Sequence, residues 1–208
     1  MSIKTMTLRG KLLTMTVTTV IALTALFSVL LINGKRQMLE DREAKVRTLV
    51  ESTSGILTYY DKAAHDGQMS VEEAKKTAAA AIGAMRYDKT EYFWVHDIKD
   101  ATMIMHPIKP ELNGKNLDGL KDKGGKQFFH EMNLVVRANG SGFVEYLWPK
   151  PGSEDGIPKI SFVQEFKPWG WVLGSGSYID DVDTKFRSDA IKLIFWGLGI
   201  AGFIAISL

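Results

Sequence analysis

The sequence predicts an α+β chain, an antiparallel sheet behind a long N-terminal helix, with a membrane helix at each end. Three observations carry this. An uncharged run, Leu12–Ile32 ("LLTMTVTTVIALTALFSVLLI"), lies near the start. A stretch with helical period follows it. Beyond Tyr92 the pattern changes to short apolar runs punctuated by Gly, Pro and Asp turns.

The first run holds 21 residues. At 1.5 Å per residue it would span about 31 Å, matching a hydrocarbon core of roughly 30 Å. Lys4, Arg9 and Lys11 precede it. Cations on that side predict a cytoplasmic N-terminus. A cleaved signal peptide would have a shorter apolar region ending in small residues; this run ends in "LLINGKRQ". A second apolar run starts at Ile191 and is uncharged after Lys192. It reaches Leu208 without flanking charges, as a cut inside a longer protein or a minimal tail would. The expected organisation is therefore a cytoplasmic N-terminus over 1–11, a membrane helix over 12–32, an extracytoplasmic domain over 33–190 and a second, truncated membrane helix over 191–208. In a bacterium this places 33–190 in the periplasm and the anchors in the inner membrane.

Residues 35–65 read as one helix. Leu39, Val46, Leu49, Thr53, Ile56 and Tyr60 recur at heptad-like steps. Such a seam serves packing on its own domain, a parallel homodimer contact, or both on different faces. Ser70 and Glu73 form a capping box for the next helix, with an apolar stripe of Val71, Ala74, Ala78, Ile82 and Met85. "EYFWVHD" and "TMIMH" form a hairpin around "IKDA", and 107–125 is a long loop of the kind that usually has a function. "KQFFHEMNLVVRAN" is a helix on which Phe128, Met132, Val135 and Val136 share a face. "FVEYLWP", "IPKISFVQEF" and "WVLGSGSYI" follow with short turns, a pattern that predicts an antiparallel meander. "DDVDTKFRSDAIKLIFW" leads into the second anchor as a helix.

Composition narrows the chemistry. Lys+Arg number 26 and Asp+Glu 24, with no basic stripe, so nucleic acid is not an expected partner. Cysteine is absent, which removes disulfides, thiolate metal sites and a Cys nucleophile. "GLKDKGGK" lacks the phosphate-loop spacing, "GSGS" is no nucleophile elbow, and "SEDG" is too poor in oxygens for calcium. No nucleophile, base and orienter stand together, so an enzyme is not expected, nor any metal or cofactor.

Parity organises the hairpin. Tyr92, Trp94 and His96 share one face, and Phe93, Val95 and Asp97 the other. With "IKDA" as the loop, Asp97 opposes Thr102, Val95 opposes Ile104 and His106 opposes Phe93. Tyr92 and His106 then fall on opposite faces unless His106 turns at Pro107. His96 reads as a strand-end residue near solvent. His106 reads as a strand-terminating residue or a ligand contact. Polar-tipped aromatics and cations gather near the strand ends: Tyr87 and the seven candidate ligand contacts Arg86, Tyr92, Trp94, His106, Tyr146, Lys159 and Tyr178. Aromatic walls with a few polar groups are the usual lining of a small-molecule pocket. Donors outnumber acids in this set, which favours an anionic ligand such as a carboxylate.

The blocks "MRYDKTEYFWVHD", "MIMHP", "ELNGKNL", "GSGFVEYLWPKPG" and "PKISFVQEFKPWGWVLGSGSYIDDV" resemble the single Cache domains of bacterial sensors, particularly the second single-Cache type. They cover about residues 85–182. The resemblance implies a PAS-like antiparallel sheet on a long N-terminal helix, and periplasmic recognition of small molecules, often short organic acids. It further implies an output beyond the second anchor, most often a methyl-accepting chemotaxis region, otherwise a histidine kinase or cyclase. An anchored binding protein without an output is the remaining alternative.

Overall fold

The computed structural model describes residues 7–88 and 91–207. Lys4, one of the three cations read as setting orientation, lies outside the described residues. The chain divides into two compact units, Glu40–Asp180 and Met1–Leu39 with Asp181–Leu208.

The helix α1 runs unbroken over Leu8–His65, joining the apolar run and the heptad-like stretch in one element. Its apolar part is unburied and, by length and composition, can cross a membrane. The hydroxyls of Thr14, Thr16, Thr18, Thr19, Thr24 and Ser28 each donate to a carbonyl one turn back at 2.8–2.9 Å. Hydroxyls satisfied within their own helix suit an apolar surrounding, where no water can pair with them. The same unit holds most of α4, Asp180–Ser207.

The unit Glu40–Asp180 is built on a sheet. After α2 (Val71–Ala84) come β1 (Arg86–Tyr87), β2 (Glu91–Asp97) and β3 (Met103–Met105). A loop with one 3-10 turn, Pro110–Leu112, leads to α3 (Phe128–Asn139). Then follow β4 (Ser141–Trp148), β5 (Ile157–Phe166) and β6 (Trp171–Tyr178). The strands order β1-β2-β6-β5-β4, with β3 on β2, and every pairing is antiparallel. The expected meander is β4-β5-β6. Its third strand then pairs with β2, which joins the meander to the first hairpin in one open sheet.

Each end signal acts as its chemistry dictates. The Ser70 hydroxyl accepts from the Glu73 N–H at 3.1 Å and caps α2. Gly140, at φ 79°, ends α3 in the left-handed conformation, and its N–H returns to the Val136 carbonyl.

The sheet separates two cores. One face holds Phe93, Val95, Phe162 and Leu173 against Val46, Val50 and Leu57 of α1 and Ala74, Ala78 and Ile82 of α2. The α1 stripe is turned by one residue from the expected seam. Val46, Val50, Thr53 and Leu57 are buried, while Leu49, Ile56 and Tyr60 lie at the margin. On α2 the stripe begins at Ala74, because Val71 is half exposed. The opposite face holds Tyr92, Trp94, Val163 and Val172 against Phe128, Phe129, Met132 and Val136 of α3. Fully burying an aromatic or aliphatic side chain stabilises by about 1.5–3 kcal/mol, so these two layers supply the main driving force.

The hairpin corrects the expected register. Asp97 does meet Thr102, its N–H donating to the Thr102 carbonyl at 2.8 Å. One pair on, a bulge intervenes, and Val95 opposes Met105 rather than Ile104. Ile104 and Met105 both pack on the α1/α2 side, whereas Met103 lies in the α3-side core. A bulge adds one unpaired residue and so restores the next side chain to the other face. His106 is thereby brought to the side of Tyr92, with their rings 5.0 Å apart. The expectation that these two fall on opposite faces fails for this reason.

Candidate functional site

The α3 side of the sheet carries a buried polar cluster at one end. Antiparallel pairing sets Tyr146 beside Lys159 and Lys159 beside Tyr178 across three strands. Tyr92, His106 and Trp148 complete it. Trp148 Nε1 donates to the Tyr92 hydroxyl at 2.9 Å, Tyr146 and Ser161 share a hydrogen bond of 3.0 Å, and Tyr178 donates to the Pro149 carbonyl at 2.7 Å. Phe128 of α3 stacks on Tyr146 with centroids 4.5 Å apart. Burial raises the pKa of all three tyrosines, so each stays a neutral donor–acceptor.

Lys159 is the centre of this cluster. Its side chain is 0% exposed. Nζ lies 4.3 Å from the centroid of Tyr92 and 4.5 Å from that of Tyr178. The rings attract the cation through their faces but accept no ordinary hydrogen bond from it. Nζ has no hydrogen-bond partner, although an ammonium carries three donors. The nearest carboxylate, that of Glu91, stands 3.8 Å away, and its Oε2 is also buried without a hydrogen bond. Burial lowers the lysine to about 8, against the pull of Glu91, and raises Glu91, against the pull of Lys159. The lysine is therefore mainly charged at neutral pH. Gly176 faces it across β5 and β6. A Cβ there would fall 2.0 Å from Ser161 Oγ and 2.9 Å from Lys159 Cε, so a bare position makes room for the lysine stem.

The long loop after β3 holds His106 in place. Its N–H donates to Asn113 Oδ1 at 2.8 Å. Its Nδ1 accepts from the N–H groups of Ile108 and Lys109, at 3.3 and 2.9 Å. An Nδ1 that accepts leaves the ring proton on Nε2. Burial first, then the charges of Lys159, Lys109 and Arg86, lower this histidine to about 3. It is a neutral donor at physiological pH.

The structure brings together five of the seven residues singled out from sequence: Tyr92, His106, Tyr146, Lys159 and Tyr178. Trp94 lies on the same face but farther along it, packed over Gly174, with Nε1 donating to His96 Nδ1 at 3.2 Å. Arg86 is exposed, and its guanidinium donates to the carbonyls of Gly83 and Met85 at 2.7 and 2.6 Å. It lends charge to the cluster rather than contact. His96 is corrected: it is fully buried between Trp94 and Asn133, 3.1 Å from Asn133 Oδ1, and not a solvent-facing strand end. Sequence reasoning missed Glu91, Ser161 and Trp148. An acid opening the run "EYFWV" was the available signal for Glu91. Among the described residues no group of three or more His, Cys, Asp or Glu is placed to hold a metal.

A fold and a cluster of this kind have relatives. The family model for single Cache domain 2 matches residues 38–191. The chain is 35% identical over 205 residues to the methyl-accepting chemotaxis protein McpP of Pseudomonas putida, covering 99% of this chain and 38% of McpP. It is 36% identical over 149 residues to the sensor histidine kinase MctS of Rhizobium johnstonii, covering 71% of this chain and 31% of MctS. It thus spans about a third of the length of these relatives. A solved periplasmic sensor domain of a chemotaxis protein is 52% identical, with a TM-score of 0.67 over 69% of this chain and 99% of that one. A Cache chemosensory domain solved to explain carboxylic acid recognition is 41% identical, also at 0.67, over 70% and 98%. The chain belongs to the single Cache domain 2 family.

Proposed function

We propose that this chain is the ligand-sensing, membrane-anchored input of a bacterial chemoreceptor, and that its Glu40–Asp180 unit takes up a short carboxylate in the periplasm. The observation that carries this is Lys159, a buried ammonium with three donors and no hydrogen-bond partner. Leaving such a group unsatisfied is costly, and a carboxylate is the anion that removes the cost with short, charge-assisted bonds. Tyr92, Tyr178 and His106 supply the wall, with Nε2–H of His106 as a further donor, and Tyr146 sits one strand over. The aromatic lining limits the ligand to a small one. Similarity to a domain known for carboxylic acid recognition supports the same class.

The arrangement 12–32 and 191–208 as two membrane helices, with 33–190 between them, follows from the charge pattern read above. The apolar part of α1 supports the first of these. A homodimer in the membrane belongs to the same reading. The kinase MctS favours one second reading, in which the same input drives a histidine kinase instead. The coding sequence after residue 208 separates the two outputs.

Calorimetric titration of the 208-residue chain in detergent with acetate, propionate and butyrate tests the proposal. Saturable binding of at least one is expected, and Lys159→Met should weaken it by about a hundredfold or more. A folded wild-type chain that binds none of them overturns it.

A further inference from the structure

The cluster contains a second buried charge that the ligand reading leaves unused. Glu91 is 6% exposed, and its Oε2 is as devoid of hydrogen-bond partners as the lysine it faces. The two stand at 3.8 Å, close enough to neutralise each other and too far to bond directly. Resting on the carboxylate reading above, we propose that ligand and proton bind together: when a carboxylate takes the ammonium of Lys159, the side chain of Glu91 takes a proton from solvent.

Charge accounting in a dry site leads there. Without ligand, one buried cation balances one buried anion. A ligand anion on Nζ leaves two carboxylates around one ammonium, and two like charges a few ångströms apart in a poorly solvated site cannot both stay ionised. Other charges around Glu91 do not replace the missing cation. Lys159 on β5 is already counted. On α1, Arg42 donates to Ser177 Oγ at 3.1 Å, and its charge favours ionised Glu91 less than the nearby Asp88 opposes it. Asp88, beside β1, is itself acidic and ion-paired to Lys45 of α1. On β6 the neighbour is Tyr178, whose phenol stays neutral and whose backbone hydrogen bond to Glu91 favours the carboxylate less than burial opposes it. His106, after β3, is locked neutral by the two N–H groups on its Nδ1. Arg86 stands in solvent, and Lys109 Nζ lies over Trp148. Glu91, already displaced toward protonation by its burial, is the group that yields. The ligand stays an anion on Nζ, the proton goes to the Glu91 carboxyl, and the site keeps its net charge.

The consequence is affinity that rises as pH falls. While Glu91 is ionised in the free protein, one coupled proton gives about a tenfold gain per pH unit. The gain levels off once Glu91 is protonated without ligand.

Propionate is the probe. Titrating the full chain at pH 6.5 in buffers of different ionisation enthalpy should show uptake of about one proton per propionate, and affinity should tighten from pH 7.5 to 6.5. At pH 6.5 a lysine near 8 is almost wholly charged, so the uptake read there is not the lysine's. Infrared difference spectra of the same titration should show a protonated carboxyl band on propionate binding, and Glu91→Gln should lack it. Wild-type binding without proton uptake overturns the inference while leaving the carboxylate reading intact. A carboxyl band that persists in Glu91→Gln overturns the assignment to Glu91. Absence of propionate binding at every pH, with other short carboxylates also silent, overturns the reading beneath it. The wild-type measurement decides even if the variant does not fold.

Discussion

The two faces of the sheet are made from the same strands and built to different rules. On the α1/α2 face, Phe93, Val95, Phe162 and Leu173 meet aliphatic and alanine side chains, and the only buried polar partner on α1 is Thr53. On the α3 face, one end packs its apolar side chains around a single buried polar pair, His96 and Asn133, while the other buries a lysine, a histidine and three tyrosines, with the carboxylate of Glu91 3.8 Å from the lysine. The first face maximises burial and leaves only a neutral amide oxygen, Oε1 of Gln164, without a hydrogen bond among the described residues. The second gives up part of that stabilisation to hold donors in a dry place. Buried charge without a hydrogen bond destabilises a fold, and its presence is why the proposed ligand is assigned to this face.

The sharpest way to break this comparison is to damage the first face. Phe162 is 2% exposed, and Phe162→Ala should cost about 3–5 kcal/mol. Urea unfolding reads this, and propionate affinity of the remaining folded protein should stay near wild type. A large loss of affinity at unchanged stability would mean that the faces are not separate in function.

Next in size is the acid response of the second face. Burial lowers His96 to about 4 and His106 to about 3. The unfolded chain takes up these protons near pH 6.5, before the folded one does. Stability is thus fully present above about 6.5 and declines as pH falls toward 4. His96 alone accounts for up to about 3 kcal/mol of that decline. Thermal unfolding across pH 4–7.5 measures it, and His96→Gln should flatten the curve. An unchanged slope in that variant would show that the imidazole is not held neutral by its site.

The smallest expected effect is that of Tyr146→Phe. It deletes a hydroxyl bonded to Ser161 at 3.0 Å and should destabilise by about 1 kcal/mol, read by the urea midpoint. A stabilised variant would sharpen the contrast, since it would show that this hydroxyl is kept for the ligand at the expense of the fold.

Much of this was legible in the sequence because it rests on local rules. Alternation separated Tyr92 and Trp94 from Phe93 and Val95, Ser70 and Glu73 announced α2, and short turns announced the β4-β5-β6 meander. The errors lie where a distant partner decides. His96 is buried because Asn133 of α3 meets it, and nothing near "WVHD" foretells that. The true α1 stripe includes Val50 and Leu57 because the sheet and α2 choose which side of the helix they cover. Five of the seven site candidates converge because strand ends are where a sheet can hold polar tips. Arg86 left the group through carbonyls at the end of α2, a destination fixed by helix geometry rather than by residue type.

The bulge at Ile104 bears on how chains of this kind are compared. Percent identity counts which letters agree and treats a lone gap as a small penalty. In this strand one residue decides whether the histidine that follows points toward the lysine or toward the long helix. Two relatives could agree at every aligned letter and still differ here in what they can hold. For this hairpin the length of the segment between Asp97 and Pro107 decides as much about where His106 stands as the residues within it.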